Sequence, residues 1–479
     1  MTNTTVLNKA ADNIRILAAS MVEKAKSGHP GGAMGGADFV NTLFAEFLVY
    51  DPSDPKWINR DRFFLDPGHM SPMLYSVLAL TGKFTLDELK QFRQWGSPTP
   101  GHPEVDVMRG IENTSGPLGQ GHAMAVGAAI AERFLVARFG DWMAHKTYAF
   151  ISDGGIQEEI SQGAGRIAGY LGLNNLIMFY DSNDIQLSTD TDAVTKEDTA
   201  AKYRAWGWNV LEINGNDADA IRGALIEAGQ EQSRPTLIIG KTIMGKGVVT
   251  EEGQSYEGKC STHGQPLSAA GASFAKTIAH LGGNPDEPFA IFPGVEKLYA
   301  DRKAELLKVA ADRKAKQAAW EKENPELAVK LHQFFSGKAP EIDYKAIAQK
   351  PGIATRAASA NVLAVFAEQI ENMIVSSADL ANSDKTDGFL KKTHAFKSGD
   401  FTGAFLQAGV SELTMAAIMN GMMLHGGVIG ACGTFFVFSD YMKPAARMAA
   451  LMEVPVKYIW THDAFRVGED GPTHQPVEQ

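Results

Sequence analysis

From residue 147 to 240 the chain repeats one pattern, a short strand-like apolar run followed by a helix-periodic stretch. Thr147–Ser152 (TYAFIS), Asn175–Tyr180 (NLIMFY), 208–213 and 235–240 (PTLIIG) read as strands, and 157–171, 198–206 and 217–230 as helices. Strands that lack a polar alternate face are buried on both sides. Helices between them supply the cover, so the pattern spells βαβ units and a parallel sheet. The alternation resumes after 351, with helices at 355–370, 411–425 and 440–451 and strands at 373–378, 428–436 and 455–461. Residues 296–346 are rich in Ala, Lys and Glu, have almost no strand character, and read as helices crossing between domains. The expectation is an α/β protein with two successive doubly wound parallel-sheet domains, 1–295 and 351–479, joined by a helical linker over 296–350.

Other arrangements are excluded by size and charge. At about 100–200 residues per domain, 479 residues make two to four domains whose cores need no disulfide staples. A balance of 45 basic and 56 acidic residues, net −11, speaks against nucleic-acid binding, which needs clustered Lys and Arg, but leaves room for a local phosphate pocket. Cys260 and Cys432 form no framework and have no metal-ligand spacing, which points to a reduced, cytoplasmic setting. Asp12, Arg15, Glu23 and Lys24 interrupt any signal-like apolar run near the start. Thr414–Ser439 has no Asp, Glu, Lys or Arg, but Asn420, His425 and Gly426-Gly427 divide it, so it reads as a helix and a buried strand rather than a membrane span. Gly471–Gln479 resembles a loop entering a helix that has no body, which points to a truncated or processed chain.

Several motifs fall where such a fold does chemistry. Asp153, in Ser152-Asp-Gly-Gly155, and Asn183, in Tyr180-Asp-Ser-Asn-Asp-Ile185, each follow a strand and lie about one βαβ unit apart. That spacing brings both to neighbouring strand ends, where open α/β sheets bind ligands. A carboxylate, an amide oxygen and a nearby carbonyl suit a hard cation such as Mg²⁺, with diphosphate oxygens and water completing its shell; an ordinary turn would look the same. Five histidines sit beside glycine in loop-like contexts: His29, His69, His102, His122 and His263. His462 and His474 bracket the loop Gly468-Glu-Asp-Gly-Pro-Thr-His474. Singly these are structural residues; as a set they suggest polyol or phosphate binding, or proton handling. Gly116-Pro-Leu-Gly-Gln-Gly121 opens a small-residue helix whose amides are placed to face a diphosphate. Gly240-Lys-Thr-Ile-Met-Gly-Lys-Gly247 nearly matches a P-loop but has Gly247 where Ser or Thr must hold Mg²⁺, which argues against an NTPase. Glu412 is a lone acid starting an apolar helix, and Phe435, Phe438 and Tyr441 follow a strand end, where core packing is the plain alternative.

In this order the pieces resemble transketolase, a thiamine-diphosphate enzyme. The matching strings are Ser27-Gly-His-Pro-Gly31, Gly101-His-Pro103, Thr114-Ser-Gly-Pro-Leu-Gly-Gln-Gly121, Asp153-Gly…Glu158, Ala354-Thr-Arg356, Ser377-Ala-Asp-Leu380 and Gly468-Glu-Asp-Gly-Pro-Thr-His-Gln-Pro476. The resemblance runs from residue 10 to 479 and lacks the family's third domain and the end of its second. It implies transfer of a two-carbon ketol unit from a ketose phosphate (such as xylulose 5-phosphate) to an aldose phosphate (such as ribose 5-phosphate or erythrose 4-phosphate), in the pentose phosphate pathway. It also implies a homodimer with sites at the subunit interface, and no nucleic-acid or membrane partner.

By the same resemblance Asp153, Asn183 and the Ile185 carbonyl hold Mg²⁺, which Ca²⁺ or Mn²⁺ can replace. His69, Gly116, Leu118, Gly154 and His263 hold the diphosphate and thiazolium, and Glu158 and Asp379 join the cofactor-binding set. Glu412 of the other subunit meets the aminopyrimidine, with Phe435, Phe438 and Tyr441 around that ring, and helps remove the cofactor's C2 proton. His29, His102, His263, His462, Asp470 and His474 meet the sugars, the first four as catalytic candidates beside Glu412. Arg356 and Ser383 hold the substrate phosphate.

The chain departs from the family in three places. Ser152 replaces a glycine, Ser411-Glu412-Leu413 replaces Arg-Glu-His, and Gly163 stands where a second glutamate belongs to an acid network between dimer sites. A further phosphate arginine would lie past residue 479. The competing reading is a non-catalytic thiamine-diphosphate-binding fragment, or half of a split enzyme that needs a partner chain.

Overall fold

The computed structural model describes residues 2–463 and 469–476. Gly468 and the expected helix start at 477–479 lie outside them. Two compact units are resolved, one made of Met1–His122, Lys146–Glu158 and Leu176–Arg313, the other of Ala123–His145, Glu159–Asn175 and Lys314–Gln479.

The first unit is built on a five-stranded sheet of β1 (Arg62–Leu65), β2 (Thr147–Ser152), β3 (Leu176–Ser182), β4 (Asn209–Asn214) and β5 (Thr236–Lys241), in the order β1-β2-β3-β5-β4. Every pair is parallel. β2 and β3 are buried along their whole length, as strands without a polar face must be. The core beneath them is aromatic: Phe39 stacks on Phe179 at 4.0 Å and meets Phe150 at 6.0 Å. The helix Thr4–Ala25 buries Leu7, Ile14, Leu17 and Met21 against this core, and the Asn3 side chain caps it by accepting from the Thr5 N–H. Register fixes the site, because Ser152 lies opposite Asp181 and the ends of β2 and β3 emerge side by side.

The second unit holds a four-stranded parallel sheet of β6 (Met373–Ser377), β7 (Phe405–Gln407), β8 (Ile429–Phe435) and β9 (Lys457–Thr461), ordered β7-β6-β8-β9. The charge-free stretch after Thr414 is a helix, Glu412–His425, followed by β8, as expected. Among the described residues no helix is long and apolar enough to cross a membrane. Close approach of two helices explains two of the glycines. A Cβ on Gly127 would lie 1.9 Å from the Ile418 carbonyl oxygen, and one on Gly421 would lie 1.9 Å from that of Met124. The expected helices over 296–346 are Pro293–Glu323 and Pro325–Phe335; the helical character stops there, with only a 3-10 turn at Tyr344–Ala346 beyond. Neither β1 nor β7 was expected from the sequence. Each is only four or three residues long and is defined by its neighbour rather than by its own pattern.

Candidate active site

In the first unit, a pocket of about 360 Å³ opens at the carboxyl ends of β2 and β3. His29, His69, His102 and His263 share one side of it, and Gly116 and Leu118 form another part of the wall. Asp153, Gly154, Asn183 and Ile185 line it as well. Residues from seven separate stretches of sequence therefore reach one cavity, as the strand-end argument requires.

The imidazoles touch one another. The ring centroids of His29 lie 5.2 Å from His69, 6.3 Å from His102 and 5.8 Å from His263, and His69 stacks on His263 at 5.2 Å. Burial, with His263, Arg93 and His102 close by, holds His29 down to about 4. Burial also pushes His69 well below its ordinary value, and lowers His263 and His102. Such rings are neutral at pH 7, each with one N–H and one lone pair. Among the described residues, the Nδ1 atoms of His29 and His263 and the Nε2 of Gln186 are buried without a hydrogen-bond partner. Orphaned polar atoms that converge on a cavity fit a polar, anionic ligand there.

The acid end is more connected than the sequence suggested. Asp153 Oδ1 accepts from the Tyr180 hydroxyl at 2.6 Å, while Oδ2 accepts from the N–H groups of Asn183 at 3.1 Å and Asp184 at 3.0 Å. The Asn183 amide donates to Asp181 Oδ2 at 3.0 Å. Burial, with Asp184 adding to it, pushes Asp153 up to about 6. Burial and Asp153 push Asp181 up to about 7. Buried carboxyls held this high lack a compensating positive charge, which is the electrostatic condition a divalent cation would relieve. Tyr180 and Asp181 stand inside the quoted Tyr180–Ile185 string yet went unremarked as site residues. Arg93 was missed altogether. It lies against Gly101, whose Cβ would meet the Arg93 guanidinium at 2.7 Å.

One expectation is corrected. The amides that open the helix Gln120–Phe139 do not await a diphosphate: the His122 N–H donates to Asp66 Oδ1 at 3.2 Å, and those of Gly119 and Gly121 also bear on this carboxyl. A second anion at the same helix end would repel the first. Gly116 and Leu118 still line the pocket, so the loop serves through its wall rather than through the helix end.

The second unit has its own cleft, of about 440 Å³, lined by Arg356, His462 and Asp470 among others. Arg356 Nη1 contacts His462 Nε2 at 2.6 Å and donates to the Ser383 carbonyl at 3.2 Å. Phe435 packs on His462 at 3.7 Å and on Phe438 at 5.8 Å; Phe438 meets Tyr441 at 5.9 Å and His474 at 5.2 Å. Phe435 is buried and Tyr441 is 61% exposed, so packing accounts for the first and not for the second. Glu412 opens its helix half-buried, and burial raises its carboxyl. Asp379 is exposed in a left-handed conformation at φ 64°, and Glu158 is exposed; neither lines a cavity described here. A Cβ on Gly163 would come within 2.4 Å of Thr414 Oγ1 and 2.7 Å of Ser411 Oγ. A side chain at 163 would therefore have to displace the Thr414 and Ser411 hydroxyls.

A parallel sheet with a cofactor-sized pocket at its carboxyl edge is the architecture of a cofactor-dependent α/β enzyme. The family described as "Transketolase, thiamine diphosphate binding domain" matches residues 6–340, and "Transketolase, pyrimidine binding domain" matches 351–479. Transketolase of Geobacillus stearothermophilus is 43% identical over 482 aligned residues, covering 98% of this chain and 70% of the relative. That of Bacillus subtilis is 41% identical, with 99% and 71% covered. Among solved structures, transketolase of Leishmania mexicana superposes with a TM-score of 0.93 at 37% identity, covering all of this chain and 71% of that one. A Pichia stipitis transketolase in complex with sedoheptulose 7-phosphate gives 0.93 at 38%, with 99% and 71% covered. The fold is that of a thiamine-diphosphate-dependent transferase. The chain belongs to the transketolase family.

Proposed function

We propose that the chain carries a two-carbon ketol unit from a ketose phosphate such as xylulose 5-phosphate to an aldose phosphate such as ribose 5-phosphate or erythrose 4-phosphate, a step of the pentose phosphate pathway. In this reading it works in the cytoplasm as a homodimer with thiamine diphosphate and Mg²⁺. The observation that carries it is the pocket itself, lined both by four neighbouring imidazoles and by the Asp153–Asn183 strand ends.

Thiamine diphosphate supplies a nucleophilic carbon and an electron sink for breaking the ketose C2–C3 bond. The protein's part is binding, orientation and proton handling. Asp153, the Asn183 side chain and the Ile185 carbonyl would hold the cation. His69, His263, Gly116 and Gly154 would hold the diphosphate and its ring. Neutral His29, His102 and His263 can each donate to one sugar oxygen and accept from another without gaining charge, and so pass a proton at low cost. Glu412, its proton favoured by burial, would share that proton with the aminopyrimidine ring. Arg356, with Ser383 and His462 beside it, would take the sugar phosphate.

A coupled assay with xylulose 5-phosphate and ribose 5-phosphate tests this. Turnover should require both thiamine diphosphate and Mg²⁺, and should be lost on chelation. Cofactor-independent turnover, or none with any ketose phosphate, would remove the proposal.

A further inference from the structure

Asp66 lies just past β1, is 1% exposed, and takes no part in the assignments above. Its backbone continues the sheet, the Asp66 N–H donating to the Phe150 carbonyl at 3.0 Å, while Ser115 Oγ donates to the Asp66 carbonyl at 2.5 Å. Its side chain faces two ways. Oδ1 accepts the His122 N–H at 3.2 Å, with those of Gly119 and Gly121 also bearing on the carboxyl, and so closes the positive end of the Gln120–Phe139 helix. Oδ2 is buried and, among the described residues, has no hydrogen-bond partner. It is pressed instead against the Asp153–Gly155 turn, since a Cβ on Gly155 would stand 2.4 Å from it. The two segments that meet on this carboxyl carry the facing walls of the pocket. A Cβ on Gly154 would lie 2.9 Å from Leu118 Cδ1.

A buried carboxylate oxygen left unpaired is destabilising, so its placement here needs a reason. We propose that Asp66 is a positioning residue for the cofactor pocket, tying the 113–122 loop to the Asp153–Gly155 turn and so setting the gap between Gly116 and Gly154. This rests on the reading that the pocket takes thiamine diphosphate. Groups that orient ligating residues typically cost about 10–100-fold in affinity when removed.

The test uses the full chain, titrated with thiamine diphosphate at fixed Mg²⁺ by calorimetry, with hydrogen exchange measured over 113–122 and 152–158. Asp66→Ser is too short to span both segments. It should weaken cofactor affinity by about 10–100-fold, with the loss falling on cofactor half-saturation more than on kcat, and should speed exchange in both segments. Unchanged affinity, or faster exchange in 113–122 alone, would overturn the proposal. If Asp66→Ser does not fold, Gly155→Ala approaches the same contact from the other side. It should speed exchange at 119–122, and unchanged exchange there overturns the proposal equally. Wild type and Asp153→Ala in the same titration keep the two readings apart. Failure of wild type to bind thiamine diphosphate with Mg²⁺ removes the cofactor reading, whereas a lack of coupled exchange between the segments removes only Asp66.

Discussion

Arg356 Nη1 and His462 Nε2 lie 2.6 Å apart, and because a guanidinium can only donate, that ring nitrogen must carry the lone pair. The proton then sits on Nδ1, which donates to Thr461 Oγ1 at 2.9 Å. His462 is thus fixed as a neutral ring in one tautomer, and burial and Arg356 lower its affinity for a second proton. Its left-handed φ of 58° is a strained conformation of the kind that persists where the surroundings hold it.

This pairing gives a substrate prediction. Arg356→Ala should raise KM for phosphorylated ketoses far more than for hydroxypyruvate, which has no phosphate. A charge-assisted hydrogen bond contributes about 1.5–3 kcal/mol, so the gap should be roughly 10- to 150-fold in kcat/KM. Steady-state kinetics on both donors decides it, and equal losses would mean that Arg356 does not read phosphate.

Asp153→Ala should abolish Mg²⁺-dependent binding of thiamine diphosphate, because the diphosphate charges then lose their bridging cation. The check is a titration with and without chelator, alongside a thermal melt. Unaltered affinity in a folded variant would remove Asp153 as a cation ligand.

The sequence was most informative where a pattern is periodic or a residue stands alone. The strands at 147–152 and 373–377 and the charge-free 414–439 stretch announce themselves through their lack of charge. The four pocket histidines stand out because glycine flanks each of them. β1 could not be read that way, since Arg62-Phe-Phe-Leu65 is made a strand by its pairing with β2. Asp66 was hidden for a related reason. An acid before Pro67-Gly68 looks like a turn, and nothing local shows that it reaches helix amides some fifty residues away. That the amides of Gly119, Gly121 and His122 are taken was not legible locally, because the Asp66 carboxyl that accepts them comes from elsewhere in the chain.

His122 makes a prediction about pH. Its ring is fully buried, stacks near Tyr203, meets Trp208 edge-on, and among the described residues has no hydrogen-bond partner for either nitrogen. Burial drives it down from 6.5 to about 3. The unfolded chain therefore binds a proton between those values that the folded chain does not. The stability this group permits is complete above about pH 6.5 and is lost as pH falls toward 3, by up to about 5 kcal/mol at 1.36 kcal/mol per unit. His122→Leu should shift the acid-unfolding midpoint downward and raise Tm more at pH 5 than at pH 8. A parallel shift at both values would mean that the ring is not forced to stay neutral.

The crossing of helices 120–139 and 412–425 is a packing test free of chemistry. Gly421→Ala must push the helices apart, because the new methyl would meet the Met124 backbone rather than a movable side chain. Overpacking of this kind costs about 1–3 kcal/mol and often more against backbone. Denaturant melts should show the loss, while Gly223→Ala, which meets nothing within 4 Å, should hold or gain stability.

The last prediction separates catalysis from binding at Glu412. Glu412 stands half-buried at its helix start, where burial raises its carboxyl above the usual range. Glu412→Gln keeps the size and one polar contact but cannot share a proton, so removal of the cofactor's C2 proton should slow sharply. General acid–base groups contribute about 10²–10⁴-fold, which sets the expected loss in kcat. Cofactor affinity should fall less, because the assigned diphosphate and cation contacts involve other residues. If Glu412 were only a first-turn acid favoured by the helix dipole, the substitution would cost about 0.3–1 kcal/mol of stability and leave turnover ordinary. Hydrogen–deuterium exchange at C2 of the bound cofactor distinguishes the two. Equal exchange rates in wild type and Glu412→Gln, with stability matched, would end the catalytic assignment. Slow exchange in both would instead place the defect outside Glu412.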